Sequence, residues 1–152
     1  MNRVEISCEE VPLPPWSASL KQYVRKVLVR LGRDKWDLSV LLCGNKTITE
    51  LNARYRGKPE ATDVLSFSLG TETSSTGRFL PGDIVISLDM LRDNSGRFNI
   101  SEDEELRRLL IHGILHLDGM DHRGNSAAEP MLQFQEQILA DLAGEHIIGR
   151  NV

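Results

Sequence analysis

Cysteine is scarce in this chain. Its 152 residues include only Cys8 and Cys43, far apart and in no C-x-x-C pair, which argues against a disulfide framework or a thiolate zinc site and predicts buried, inert thiols. Long apolar runs are lacking too. Nothing approaches the ~18 residues of a membrane span, and the N-terminal MNRVEISCEEVPLPPW has no apolar stretch of the kind a secretory leader needs. A reducing cytoplasm and no membrane partner are therefore expected. Surplus positive charge is also missing, since 18 Lys and Arg face 22 Asp and Glu for a net charge of -4. That removes the whole-chain signature of a nucleic-acid binder but not nucleic-acid binding itself, which depends on the local field of a cleft. What remains, 40% hydrophobic and 26% charged residues, is the balance of a folded domain rather than of a disordered or fibrous chain.

Short apolar patterns bounded by glycine and proline divide the chain into elements. Val4 to Ser7 alternates as a short strand, and Pro12, Pro14 and Pro15 stop regular structure after it. Behind Ser17, a candidate N-cap, Leu20, Tyr23, Val24, Val27, Leu28 and Leu31 recur at three and four until Gly32 closes the helix. WDLSVLLC reads as a buried strand, and Thr47 with Glu50 as a capping box opening TITELNARYRG, a helix ended by Gly57. DVLSFSL and GDIVIS are two more strands, with the Gly/Ser/Thr-rich GTETSSTGRFLPG between them as a mobile surface loop. Leu88 to Arg97 forms a short helix. Ser101 and Glu104 cap SEDEELRRLLIHGILHL, whose acidic first turn suits the helix dipole and which runs to about Gly119. A last helix starts near Pro130 and presents Met131, Phe134, Ile138, Leu139 and Leu142 on one face as far as Gly144. The tail HIIGRNV reads as dispensable, and His146 within it as a solvent-exposed residue without a role. These elements predict one α+β domain over residues 1–152, a mixed sheet of about four strands packed with about five helices.

Histidine is rare as well, with four in all, yet three fall within HGILHLDGMDH, residues 112 to 122. Positions four apart share a helix face, so His112 and His116 can aim at one ion, and Gly119 lets the chain turn so that His122 returns a third ring. Three imidazoles suit zinc or a similar borderline divalent metal and leave a coordination position open, as a catalytic site requires. The spacing is that of the metzincin zinc-protease motif H-E-x-x-H-x-x-G-x-x-H, and the segment of residues 101 to 118 is then a zincin-like metal helix. Gly113, however, stands where that motif carries its catalytic glutamate, and without that carboxylate nothing in the motif takes a proton during attack on a peptide carbonyl.

Phosphodiester cleavage depends less on a dedicated glutamate, because a metal stabilises charge on the phosphoryl oxygen and RNA brings its own 2′-OH. A planar guanidinium can neutralise the phosphate bidentately. Arg56 is the candidate for that work, with Arg54, Lys58 and Arg123 as candidate supports for the strand backbone; on charge alone the same residues describe a solvated basic turn equally well. Asp121 is a candidate either to orient a ligand histidine or to accept a proton, and a turn residue serves as well at that position. Three functions stay open at this point: an RNA-cleaving hydrolase, a metzincin-like metallopeptidase, and a non-catalytic assembly factor whose metal staples the fold.

HGILHLDGMDH resembles the H-G-x-L-H-L-x-G-[YM]-D-H signature of the YbeY family of bacterial rRNA maturation endoribonucleases. LNARYRGKPEATDVLSF is similar to that family's L-N-x-x-Y-R-x-K-x-x-x-T-D-V-L-S-F block, and GDIVIS to its G-D-I-x-I-S strand. Together the three motifs span roughly residues 48 to 122. The family often has an aromatic where Met120 stands, and GTETSSTGRFLPG can differ in length from its counterparts. The resemblance implies a single-strand-specific, metal-dependent endoribonuclease that matures the 3′ end of 16S rRNA and takes part in ribosome quality control. It implies zinc on His112, His116 and His122 and a functional arginine at Arg56. Its implied partners are single-stranded rRNA, the small ribosomal subunit with its proteins, and an assembly GTPase.

Overall fold

In the computed structural model, which describes residues 1–69, 75–122, 124, 126 and 128–149, the chain runs β1 (Arg3–Cys8), α1 (Ser17–Arg30), β2 (Trp36–Cys43), α2 (Asn45–Arg56), β3 (Val64–Ser68), β4 (Phe79–Ser87), α3 (Leu88–Phe98), α4 (Glu102–Leu117) and α5 (Pro130–Asp141). The expected α+β architecture is present: four strands in one mixed sheet of order β1-β2-β4-β3, and five helices, among the described residues. Strands β1, β2 and β4 are parallel, whereas β3 lies antiparallel to β4 at the edge. No helix among the described residues is long and apolar enough to cross a membrane.

Alternation along β2 and β4 separates two cores. Leu38, Val40 and Leu42 of β2 join Ile84 and Ile86 of β4 beneath Leu20, Val24, Val27 and Leu28 of α1 and Leu106, Leu110, Ile111 and Ile114 of α4. On the other side Cys43, Leu65 and Val85 pack with Ile48 of α2. Burial at this rate of ~25 cal/mol per Å² of apolar surface is what fixes α4 against the sheet. The Cys43 thiol donates to Ile86 O at 3.6 Å, and burial pushes its pKa up to about 12, so it is the inert thiol expected. Edge strand β3 comes so near β4 that a Cβ on Gly82 would collide with the Phe67 carbonyl; Gly82 adopts φ 139°, a conformation side chains rarely accept.

Four sequence expectations differ from what is found. Ser17 is the first residue of α1 and Trp16 its N-cap, without a side-chain hydrogen bond. Helix α2 starts at Asn45, two residues before the expected capping box, and its open amides are met from elsewhere: Asn45 N–H donates to Asp89 Oδ2 at 2.8 Å and Thr47 N–H to Glu10 Oε1 at 2.6 Å. Strand β4 begins at Phe79, inside the expected loop, of which residues 70–74 lie outside the described residues. The described part of the tail is anchored through residues 146–148 and not dispensable, while Arg150, Asn151 and Val152 lie outside the described residues. Ile147 is 2% exposed, the amides of Ile147 and Ile148 donate to Asp103 Oδ1 at 2.7 and 2.8 Å, and the His146 ring meets Asp103 Oδ2 at 3.0 Å.

Candidate metal centre

Helix α4 starts where expected, with Glu104 N–H donating to Ser101 Oγ at 3.0 Å and four acidic residues in its first turn. Its far end brings His112 and His116 one above the other, ring centroids 4.6 Å apart. Asp118 caps the helix, Gly119 takes φ 93°, and Met120 N–H returns to Leu115 O at 2.9 Å, so the chain reverses as a glycine in this conformation permits. The reversal delivers His122, whose ring lies 5.3 and 5.5 Å from the other two.

Each ring has its Nδ1 occupied by an oxygen that can only accept. His112 Nδ1 donates to Gln135 Oε1 at 2.6 Å, His116 Nδ1 to Met120 O at 3.1 Å, and His122 Nδ1 to Gly124 O at 2.7 Å. The Gln135 amide has no choice of orientation, because its Nε2 donates to Glu136 Oε2 at 3.1 Å and its oxygen must therefore face His112. With Nδ1 carrying the proton, the lone pair of each neutral ring sits on Nε2. The Nε2 atoms of His112 and His116 are 3.1 Å apart, close to the about 3.3 Å expected between two nitrogens bound tetrahedrally to one zinc ion. Burial pushes the His112 pKa down despite the Gln135 hydrogen bond. It does the same to His116, helped by the neighbouring His112 and His122 rings. Three imidazoles, each with a ring nitrogen within 4.8 Å of the others, fit a divalent metal, and these three residues could hold one.

Arg56 lies beside them. A cavity of about 380 Å³ has His112, His116, Asp121, Ser66, Ser68 and Arg56 in its walls. Arg56 is the last residue of α2, carried there by Gly57 in the left-handed conformation, and its Nη2 donates to Ser66 O at 2.8 Å. Lys58 joins Arg56 and Tyr55 along an adjoining trough. Arg54 lies over the Tyr55 ring, 5.4 Å from its centroid, and lines neither space. Arg123 falls outside the described residues. Asp121 is 87% exposed, accepts the His122 amide at 2.8 Å and stays 3.9 Å from His116 Nδ1; the carbonyl of Met120, not Asp121, orients that ring.

One residue that matters here was not singled out from sequence. Gln135 is buried in the apolar face of α5 between Met131 and Ile138, and a polar residue inside an amphipathic stripe was the available signal. Gly113 was singled out for its missing carboxylate, but the packing that requires a glycine there was not legible. A Cβ there would come 3.0 Å from both Cδ1 and Cγ2 of Ile84, so α4 rides on β4 at the very position where the protease motif needs its glutamate.

Comparison with known proteins agrees with this arrangement. The sequence profile of the family described as Endoribonuclease YbeY matches residues 4–143. A Treponema pallidum (strain Nichols) protein named Endoribonuclease YbeY is 47% identical over 143 residues, which is 92% of this chain and 89% of the relative. One of the same name from Borrelia duttonii (strain Ly) is 42% identical over 134 residues, covering 88% and 90%. Among solved structures, a Thermotoga maritima protein studied in solution superposes with a TM-score of 0.65 at 29% identity, covering 95% of this chain and 91% of that one.

Proposed function

The chain belongs to the Endoribonuclease YbeY family, and from that premise we propose that it is a metal-dependent endoribonuclease acting on single-stranded RNA, folded as one domain over residues 1–152. The observation that carries the reading is that Arg56 lines one cavity with His112 and His116, two of the three clustered histidines. Three imidazoles beside a guanidinium suit a phosphodiester better than a peptide. The peptide reading also lacks its acid, since Gly113 packs on Ile84.

In this reading His112, His116 and His122 hold zinc, which supplies Lewis-acid polarisation of a phosphoryl oxygen. Arg56 balances the charge that gathers on the phosphate during attack by water or by the neighbouring 2′-OH; its Ser66 contact steadies the guanidinium on the cavity wall and leaves other N–H groups to turn inward. Lys58, Arg54 and Arg123 guide the flanking phosphates. Asp121, whose Oδ1 is held by the His122 amide, offers its other oxygen as the proton acceptor. At the finer level of the family resemblance, the substrate is the 3′ end of 16S rRNA and the setting is ribosome maturation and quality control in the cytoplasm. Partners are then the small ribosomal subunit, its proteins and an assembly GTPase.

The test pairs two variants with elemental analysis and parallel incubation with single-stranded RNA, duplex RNA and a denatured protein. Wild type is expected to hold one metal per chain and to cut single-stranded RNA alone. His112→Ala loses metal and cleavage; Arg56→Ala keeps the metal and loses cleavage. Metal without cleavage of anything in the wild type points to a non-catalytic assembly factor, and RNA cleavage intact in both variants overturns the site.

A further inference from the structure

A second cavity, of about 510 Å³, shares Val64 and His112 with the first and also opens on His122, but does not include Arg56. Its size lies within the roughly 300–1,000 Å³ in which proteins bind small organic groups, and its walls differ in kind from those around Arg56. Four carboxylates line it, Asp63, Glu104, Glu105 and Glu136. Among the described lining residues the one Lys or Arg is Arg108, already spent on Glu104 at 3.2 Å, Glu105 at 3.5 Å and Glu136 at 3.0 Å. Away from the histidines, a phosphate entering here would meet like charge, and the described lining offers it no cation besides Arg108. Beyond His112, His122 and Gln135 the rest of the wall is apolar, and its most exposed large apolar member is Phe98 at the end of α3. That ring is 56% exposed although Arg97 sits 4.9 Å from its centroid.

We propose that this cavity is a nucleobase subsite: it receives the unpaired base next to the scissile phosphodiester, stacked on Phe98, with Glu104 accepting hydrogen bonds from the donor edge of the base. The proposal rests on the RNA-cleaving reading above and deepens it. A phosphate at the histidine cluster has the basic trough of Arg56 and Lys58 on one flank and the acidic, aromatic cavity on the other, so backbone is drawn to the first and base to the second. The Arg108 contact takes only one Glu104 oxygen, and the carboxylate stands at the rim with 37% of its side chain exposed. Acceptors without donors suit guanine, adenine and cytosine, which carry exocyclic amino groups. They disfavour uracil, whose edge is mostly carbonyl oxygen. A base can enter only when it is out of a duplex stack, which gives single-strand preference a physical basis at this site.

The experiment maps cut sites in a randomised single-stranded RNA by sequencing product ends, alongside steady-state kinetics and metal content. Wild type is expected to cut with uracil depleted at one fixed flank of the cut. Phe98→Ala should raise KM on the order of tenfold with a smaller effect on kcat and full metal content, and Phe98→Trp should restore KM, because the ring stacks and does no chemistry. Glu104→Gln keeps the helix cap and side-chain shape but adds a donor, and should shift the flank preference toward uracil. Cleavage with no base bias at either flank, a bias that Glu104→Gln leaves unchanged, or an unaltered KM in Phe98→Ala would each overturn the subsite while the nuclease reading stands. A wild type that holds metal and cuts no RNA removes both.

Discussion

Helix α4 carries a cluster of polar side chains near each end, and each cluster uses histidine in its own way. Near the N-terminus, Asp103 is the hub. It pairs with Arg107 at 2.9 Å, with both side chains almost buried, accepts the Ile147 and Ile148 amides, and meets the His146 ring. Near the C-terminus His112, His116 and His122 gather a ring nitrogen each within 4.8 Å of one another. The partner of His146 is a carboxylate. The partners of the converging rings are an amide and two backbone carbonyls, neutral acceptors that fix a tautomer without supplying the charge that would favour an imidazolium, which cannot bind a metal. One end of the helix satisfies its polar groups to hold a tail. The other brings three imidazole nitrogens together, the condition for a ligand site.

If that division is right, variants at the two ends should fail in different ways. The largest effect belongs to His116→Ala, which should abolish stoichiometric metal and reduce RNA cleavage by at least about a hundredfold while leaving the melting temperature in chelator equal to that of wild type in chelator. Retention of one metal per chain in elemental analysis would break the contrast. Asp103→Ala should do the reverse, keeping metal in the folded protein while costing about 3–5 kcal/mol of unfolding free energy, because it strands a buried guanidinium and two amides; denaturant titration checks it. The same residue sets an acid limit. Burial works against the Asp103 carboxylate, but the His146, Ile147 and Ile148 hydrogen bonds and the Arg107 charge outweigh burial and hold its pKa below the usual value. A carboxyl with a lowered folded pKa contributes stability above its unfolded pKa of about 3.9 and loses it as pH falls through the folded value. Stability should therefore drop below about pH 4, and Asp103→Asn should flatten that part of the profile; an unchanged profile would remove Asp103 as its source.

A smaller effect is expected at the link between the metal rings and the helix body. Arg108 binds Glu136, Glu136 binds the Gln135 amide, and Gln135 orients His112. Gln135→Leu removes the acceptor and frees the ring to turn, which should weaken metal affinity by roughly 10- to 100-fold with no loss of stoichiometry at saturating metal. Competition with a chromophoric chelator measures it. An affinity equal to wild type would show that packing alone holds His112.

The histidine triad was legible because its information is local: a spacing of four on a helix, a glycine, and a turn. The Ser101 cap and the apolar stripes of α1 and α5 were legible for the same reason. What escaped sequence reading is carried by partners far along the chain. Gln135 serves a ring 23 residues away, Glu10 caps an amide 37 residues away, and Asp103 holds a tail 44 residues away. Each is an ordinary polar residue until the fold brings its partner, and HIIGRNV looks like a loose end because nothing nearby in sequence explains the burial of Ile147.

Gly113 tests the most delicate side of the comparison, the contact that sets how deep the metal helix sits. A glycine inside a helix costs about 1 kcal/mol relative to alanine, so on propensity alone Gly113→Ala should stabilise. Against that, the new Cβ meets three Ile84 side-chain carbons at 3.0–3.1 Å, and forcing one methyl into a packed core costs about 1–3 kcal/mol. The second effect is the larger, and a net loss of about 1 kcal/mol is expected from denaturant midpoints, with metal content unchanged. Gly113→Glu should lose far more and acquire no peptidase activity, because the carboxylate would have to be buried between α4 and β4. An alanine variant more stable than the parent would mean that the helix can lift from the sheet, and the missing glutamate would then need a reason other than space.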